Sequence, residues 1–194
     1  MFLQEKLRRA AAEARPVRVC LIGAGKFGSM FLSQVPSTDG VEVTQIADLD
    51  PDRARGACLE VGWSDALIGA TKITDDAPGA LTSDDVDVVV EATGSPHAGV
   101  RHARAAIAAG KHVVMVNVEA DVLAGAALAK EARAAGVVYS MAYGDQPALT
   151  AEIVDWARGR PDKERQDATL RAAFGEEFAQ LHGPEARREE EGVL

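Results

Sequence analysis

Two cysteines, Cys20 and Cys58, stand in a chain of 194 residues. They cannot build a disulfide framework or a four-thiolate zinc site, and cysteine this sparse suits a reduced compartment. Histidine is also scarce, at four residues, and no grouping of His, Cys, Asp or Glu has metal-ligand spacing. No apolar run approaches the ~20 residues that a membrane span requires. The opening Met1-Phe2-Leu3-Gln4-Glu5-Lys6 lacks the basic segment, apolar run and small-residue cleavage site of a signal peptide. Positive charge is short: 21 Lys and Arg against 30 Asp and Glu leave a net charge of −9. That balance disfavours nucleic acid and anionic membrane as partners. Also missing are a Gly-x-Ser-x-Gly elbow, a Cys–His nucleophile arrangement and a Tyr-x-x-x-Lys pair. The expectation is a soluble, cytoplasmic protein. Its length and its 47% hydrophobic content predict one domain, or one domain plus an appendage.

What is present is an alternation. Phe2–Ala14 reads as an amphipathic helix ended by Arg15-Pro16. Val17–Ile22 is β-branched and mostly apolar, as a strand covered on both faces should be. Gly23-Ala24-Gly25 turns the chain into a helix from Lys26 to about Val35. A strand follows at Val41–Ala47, then a helix with Asp50 as N-cap and Pro51 at its first position. Trp63–Ala80 carries the weakest pattern, with a short strand at Thr71–Thr74. Strands at Val86–Glu91, His112–Val116 and Val137–Met141 alternate with helices at Ser95–Ala109, Asp121–Ala135 and Pro147–Arg158. Parallel strands need crossover connections, so this order predicts a doubly wound α/β sheet, a Rossmann fold, over residues 1–158. From Gly159 charged residues crowd together, and residues 159–194 read as a helical or partly disordered tail with one amphipathic stretch at Leu170–Leu181.

Gly23-Ala24-Gly25-Lys26-Phe27-Gly28 fits G-x-G-x-x-G, and it follows a strand and opens a helix, the context its mechanism needs. Gly23 would permit the tight turn, Gly25 the approach of a diphosphate, and Gly28 the close packing of helix on strand. The free N–H groups of the helix start, at Lys26 and Phe27, would face the phosphates. Asp48 ends the second strand twenty residues after Gly28, where a carboxylate can accept from both hydroxyls of the adenosine ribose. It would repel a 2′-phosphate, which favours NAD. Arg53 and Arg55 lie just downstream and could tolerate a phosphate, so NADP stays open. After the fourth strand, Thr93, Gly94 and Ser95 reach the carboxyl edge, where ligands of open α/β sheets bind, and border the nicotinamide half. Asn117 reaches the same edge from the next strand, either to hydrogen-bond the ligand or to start a helix. Glu91 closes a buried strand and needs a partner or water.

Three segments together resemble the NAD(P)-binding domain of homoserine dehydrogenase: Ile22-Gly23-Ala24-Gly25-Lys26-Phe27-Gly28, Glu91-Ala92-Thr93-Gly94-Ser95-Pro96 and Gly110-Lys111-His112-Val113-Val114-Met115-Val116-Asn117. Asn117–Val122 and Ala142–Ala148 are similar to the homoserine dehydrogenase-like oxidoreductases that carry a C-terminal SAF domain. The likeness covers about residues 5–158. It implies a nicotinamide cofactor and, conditionally, hydride transfer. Homoserine dehydrogenases place a lysine, used for proton transfer and substrate binding, where this chain has Val118. Relatives also continue into a substrate and dimerisation region, whereas here the likeness fades after Trp156-Ala157-Arg158.

No single residue is singled out for catalysis. His97, at a helix start, is a candidate acid or base or simply a solvated residue, and His102 and His112 read as structural. Glu119, Asp121, Tyr143 and Asp145 are expected near the carboxyl edge, each able to hold a substrate or to serve as a loop or cap residue. Two readings remain. One is an NAD(P)-dependent oxidoreductase, or its cofactor-binding part, acting on a small alcohol or aldehyde. The other is a dinucleotide-binding module or subunit without turnover of its own, which Val118 and the missing downstream region favour. A methyltransferase-like nucleotide site would leave the later segments unexplained. Apolar surface left by a missing region would be covered by the Leu170–Leu181 helix or by a second copy in a homodimer.

Overall fold

The computed structural model describes residues 3–142. Helix α1 (Leu3–Ala12) leads into β1 (Val17–Ile22), α2 (Lys26–Gln34), a 3-10 turn at Val35–Ser37 and β2 (Val41–Ala47). Then come α3 (Pro51–Glu60), α4 (Asp65–Ala70), β3 (Lys72–Thr74) and α5 (Ala77–Leu81). The second half runs β4 (Val88–Glu91), α6 (Pro96–Ala108), β5 (His112–Met115), α7 (Val118–Ala135) and β6 (Tyr139–Met141). The six strands form one sheet in the order β3-β2-β1-β4-β5-β6, and every pairing is parallel. This is the doubly wound fold expected from the alternation. Strand order reverses between β1 and β4, and a crevice opens there at the carboxyl edge.

Period-two patterning sorts β1 between two cores. Cys20 and Ile22 pack with Leu81, Ala103, Ala106 and Leu128 beneath α5, α6 and α7. Val19 and Leu21 pack with Leu32, Cys58, Trp63 and Ile68 beneath α2, α3 and α4. The indole N–H of Trp63 donates to the Leu32 carbonyl at 2.8 Å, so the large ring is buried without an orphaned donor. At the opposite end of the sheet, Arg18 clamps the start of β1 to the turn before β4. Its Nη2 and Nε donate to the two carboxylate oxygens of Asp87 at 2.6 and 3.0 Å, and its backbone N–H donates to the same carboxylate at 2.9 Å. This forked pairing holds the Asp87 carboxyl below its usual range, against the opposing effect of burial.

Element boundaries differ from the sequence expectation where local bonds intervene. Val86 and Asp87 fall in the turn fixed by Arg18, so β4 starts at Val88. Helix α7 starts at Val118, three residues before the expected Asp121, because Asn117 caps it. The stretch after Trp63 holds two short helices, α4 and α5, each with its own side-chain cap, Ser64 and Asp76. No described helix is long and apolar enough to cross a membrane. The helices expected at Pro147–Arg158 and Leu170–Leu181, the boundary after residue 158, and Tyr143, Asp145 and His182 lie outside the described residues.

Candidate functional site

The glycine turn carries three glycines for three different reasons. Gly23 adopts φ +92°, a left-handed conformation, and an added Cβ would lie 3.0 Å from the Ala92 carbonyl oxygen at the end of β4. A Cβ on Gly28 would collide with the carbonyl oxygen of Gly23, so this glycine lets α2 close on the turn. Gly25 has neither restriction. Its φ is −73°, and no atom of the described residues lies within 4 Å of a Cβ added there. Nothing among the described residues requires glycine at this position.

Gly25 is also the N-cap of α2, with no side chain capping the helix and no acidic residue in its first turn. Helices α3, α4, α5, α6 and α7 are each capped by a side-chain oxygen, from Asp50, Ser64, Asp76, Ser95 and Asn117. The α2 start therefore presents uncapped N–H groups and the positive end of its dipole. Lys26 and Phe27 are exposed there.

A cavity of about 590 Å³ opens beside this turn. Its wall includes Gly23 and Gly25, Asp48 and Arg53, Thr93–Ser95, and Arg101 and His102 of α6. The fold thus brings Gly23, Gly25, Asp48, Thr93, Gly94 and Ser95 to one opening. Lys26, Phe27, Gly28 and Asn117 stand behind or beside it. Like Gly25, Gly94 has open space where a Cβ would go.

Asp48 is almost entirely buried, its side chain 2% exposed. Oδ2 accepts from the Ala24 N–H at 2.8 Å. Oδ1 accepts from the Asp50 N–H at 3.0 Å and from Arg53 Nη2 at 2.6 Å. Burial alone would raise this carboxyl. The backbone bonds from Asp50 and Ala24 and the Arg53 guanidinium outweigh it and hold the group below its usual range. Three of about four acceptor positions on the carboxylate are filled. Both ribose hydroxyls can be received only when Arg53 moves away.

The wall contributed by Thr93–Ser95 is fastened from within. The Thr93 hydroxyl donates to Glu91 Oε1 at 2.5 Å. Ser95 caps α6. Asn117 accepts from the Ala120 N–H at 3.1 Å, and its Nδ2 donates to the Ser95 carbonyl at 3.0 Å and to Thr93 Oγ1 at 3.4 Å. Asn117 is buried, and its amide is committed to tying the loop to α7. What this wall offers a ligand is mainly backbone, at Gly94.

One group escaped the sequence reading, and it partners a carboxylate that the sequence had singled out. Glu91 is fully buried, and His102, expected to be structural, sits on the cavity wall with Nδ1 3.2 Å from Glu91 Oε1. The signal available in the sequence was the run of small residues Gly99, Ala103 and Ala106 on one face of α6, which lets that helix approach the strand ends. Elsewhere on this edge, Tyr139 donates to Asp121 Oδ1 at 2.7 Å. Burial first, then that acidic partner, pushes its phenol well up, so it stays neutral. Pro96, His97, Val118, Glu119, Val122 and Leu123 line a second opening of about 480 Å³. Among the described residues no group of three or more His, Cys, Asp or Glu side chains is placed to hold a metal ion.

The site has relatives. Over 126 residues the chain is 36% identical to a 4-carboxy-2-hydroxymuconate-6-semialdehyde dehydrogenase of Sphingobium, covering 63% of this chain and 36% of that protein. The chain therefore spans well under two thirds of the length of this relative. A solved homoserine dehydrogenase from Thiobacillus denitrificans is similar at a TM-score of 0.55 and 25% identity, over 65% of this chain and 29% of that one. An NAD-binding oxidoreductase from Klebsiella pneumoniae matches at a TM-score of 0.52 and 28% identity, over 74% and 39% of the respective chains. Residues 23–141 match the family described as homoserine dehydrogenase, NAD binding domain.

Proposed function

The chain belongs to the homoserine dehydrogenase NAD-binding domain family, and we propose that it binds NAD, with NADP tolerated, as the cofactor part of an oxidoreductase acting on a small alcohol or aldehyde. The observation that carries this is Gly25. A glycine with an unrestricted backbone, open flank and uncapped helix start has no use among the described residues and suits a diphosphate approaching the main chain. Gly23 and Gly28 shape the turn. The N–H groups of Lys26 and Phe27 would face the diphosphate. Asp48 would hold the adenosine ribose, with Arg53 displaced from its carboxylate. For NADP, Arg53 would instead meet the 2′-phosphate. Thr93, Gly94 and Ser95, held by Asn117, form the far wall.

The bound dinucleotide would supply or accept the hydride. The chain would contribute orientation and charge complementarity. A dinucleotide-binding module without turnover of its own is the second reading, favoured by Val118 in place of the family's lysine. The exposed apolar side chains of Val118, Val122 and Leu123 support a second copy covering this edge in a homodimer, which sedimentation tests.

Calorimetric titration with NAD, NADH, NADP and NADPH tests the binding, and an absorbance screen at the nicotinamide band with small alcohols and aldehydes tests turnover. Binding with turnover selects the oxidoreductase, and binding without it selects the module. Failure of all four dinucleotides to bind overturns both.

A further inference from the structure

A buried carboxylate is costly unless something donates to it. Glu91 is 0% exposed, and its partners are the Thr93 hydroxyl, which donates, and Nδ1 of His102, both at Oε1. Oε2 has no partner among the described residues. The cluster is tightly enclosed. A Cβ on Gly99, one turn before His102, would lie 3.1 Å from Glu91 Oε2, 3.0 Å from Asn117 Nδ2 and 2.8 Å from the Ala120 Cβ. Only a glycine there lets α6 come close enough for His102 to reach the carboxylate.

This arrangement fixes the histidine. Toward an ionised carboxylate, which only accepts, the ring presents a proton on Nδ1. The side chain of His102 is 17% exposed and lines the same cavity as Asp48, Arg53 and Gly25. With Nδ1 committed inward, Nε2 is the nitrogen left for a ligand. In the neutral ring it is an acceptor.

We propose that His102, oriented by Glu91, is a cofactor-contacting residue whose Nε2 accepts a hydrogen bond from a donor on the adenosine half of the dinucleotide. The inference rests on the binding proposed above. The adenosine half is indicated because His102 shares its cavity with the ends of β2 and β3, at Asp48 and Asp75, whereas no residue of β5 or of the loop after it lines that cavity. The donor is a ribose hydroxyl or the adenine amino group. Glu91 is a positioning residue that selects the tautomer.

The test uses the full 194-residue chain, its His102→Asn variant, and calorimetry with NAD and with ADP-ribose, which lacks the nicotinamide. Asparagine can still donate to Glu91 but has nothing in place of Nε2. The expected result is an unchanged melting temperature and a loss of affinity of about three- to tenfold, the worth of one hydrogen bond, for both probes. A variant that binds as tightly as the parent overturns the proposal, and so does a penalty seen with NAD but not with ADP-ribose. Should the variant fail to fold, ¹⁵N spectra of the histidine rings in the parent decide. A Nδ1–H tautomer at His102, with its Nε2 resonance moving when ADP-ribose is added, supports the proposal. A Nε2–H tautomer or an unmoved resonance sinks it. Glu91→Gln, which can offer its own N–H to the ring, is expected to release the Nδ1–H tautomer and weaken binding, and a ring unchanged in that variant removes Glu91 from the account. A parent that binds neither probe overturns the binding itself, an outcome distinct from equal binding by parent and variant.

Discussion

The carboxylate of Asp48 accepts the backbone N–H of Ala24 at 2.8 Å, joining the end of the second strand to the middle of the glycine turn 24 residues earlier. One side chain therefore shapes the turn and faces the place proposed for the ribose. Substitutions at Asp48 should disturb both.

The stability effect has a pH signature. Asp48 is held below the ordinary carboxylate range in the folded chain. Its contribution is then complete above the unfolded value, about 3.9, and is lost as the pH falls through the lower folded value. Chemical denaturation of the parent and of Asp48→Asn should show a stability gap at pH 6–7 that narrows below about pH 4. A gap that widens with acid would contradict the bonding described.

Arg53 is mostly exposed yet shares an ion pair with a buried acid, at 2.6 Å. Under the proposed function Arg53→Ala frees Asp48 for both ribose hydroxyls and removes the cation that would meet a 2′-phosphate. NADP affinity should fall by about tenfold, corresponding to ~1.5 kcal/mol for a charged hydrogen bond, while NAD affinity holds or improves. Parallel titrations with the two cofactors check this. An equal loss for both would remove Arg53 from cofactor choice.

The glycines should separate fold from binding. Gly28→Ala forces a methyl group against the Gly23 carbonyl and should destabilise the domain by about 1–3 kcal/mol. Gly25→Ala adds a Cβ with no described atom within 4 Å and should leave stability within about 0.5 kcal/mol, while weakening dinucleotide affinity by roughly 10- to 100-fold through lost N–H contacts to phosphate. Thermal melts beside titrations distinguish the two.

Both thiols should be inert in the folded chain. Cys20 is fully buried in the sheet, and burial, with Asp85 adding to it, pushes its thiol up to about 12. Burial also raises Cys58. Thiol-reactive dye should label neither at neutral pH until denaturant is added. Rapid labelling of the native protein would show that one of these sites opens.

The alternation of strand and helix, the glycine turn and the acid at residue 48 were legible in the sequence because each depends on local chemistry. Val17–Ile22 must be covered on both faces, Asp50-Pro51 starts a helix whatever surrounds it, and glycine spacing reports a turn. The short helices after Trp63 were not legible, since a five- or six-residue helix has too few positions to show a period. Nor could spacing reveal what the side chains at the carboxyl edge do. Asn117 could have faced a ligand or capped a helix, and the approach of α7 decided for the cap. His102 lies 11 residues beyond Glu91, on a different element, and meets it only because Gly99 lets α6 sit close to the strand ends. The sequence by itself determined the fold and the position of the glycine turn, through periodicity and backbone preference. Tertiary structure alone decided which polar side chains are spent inside the protein and which are left to face the cavity, because that depends on distances between elements that no linear spacing encodes.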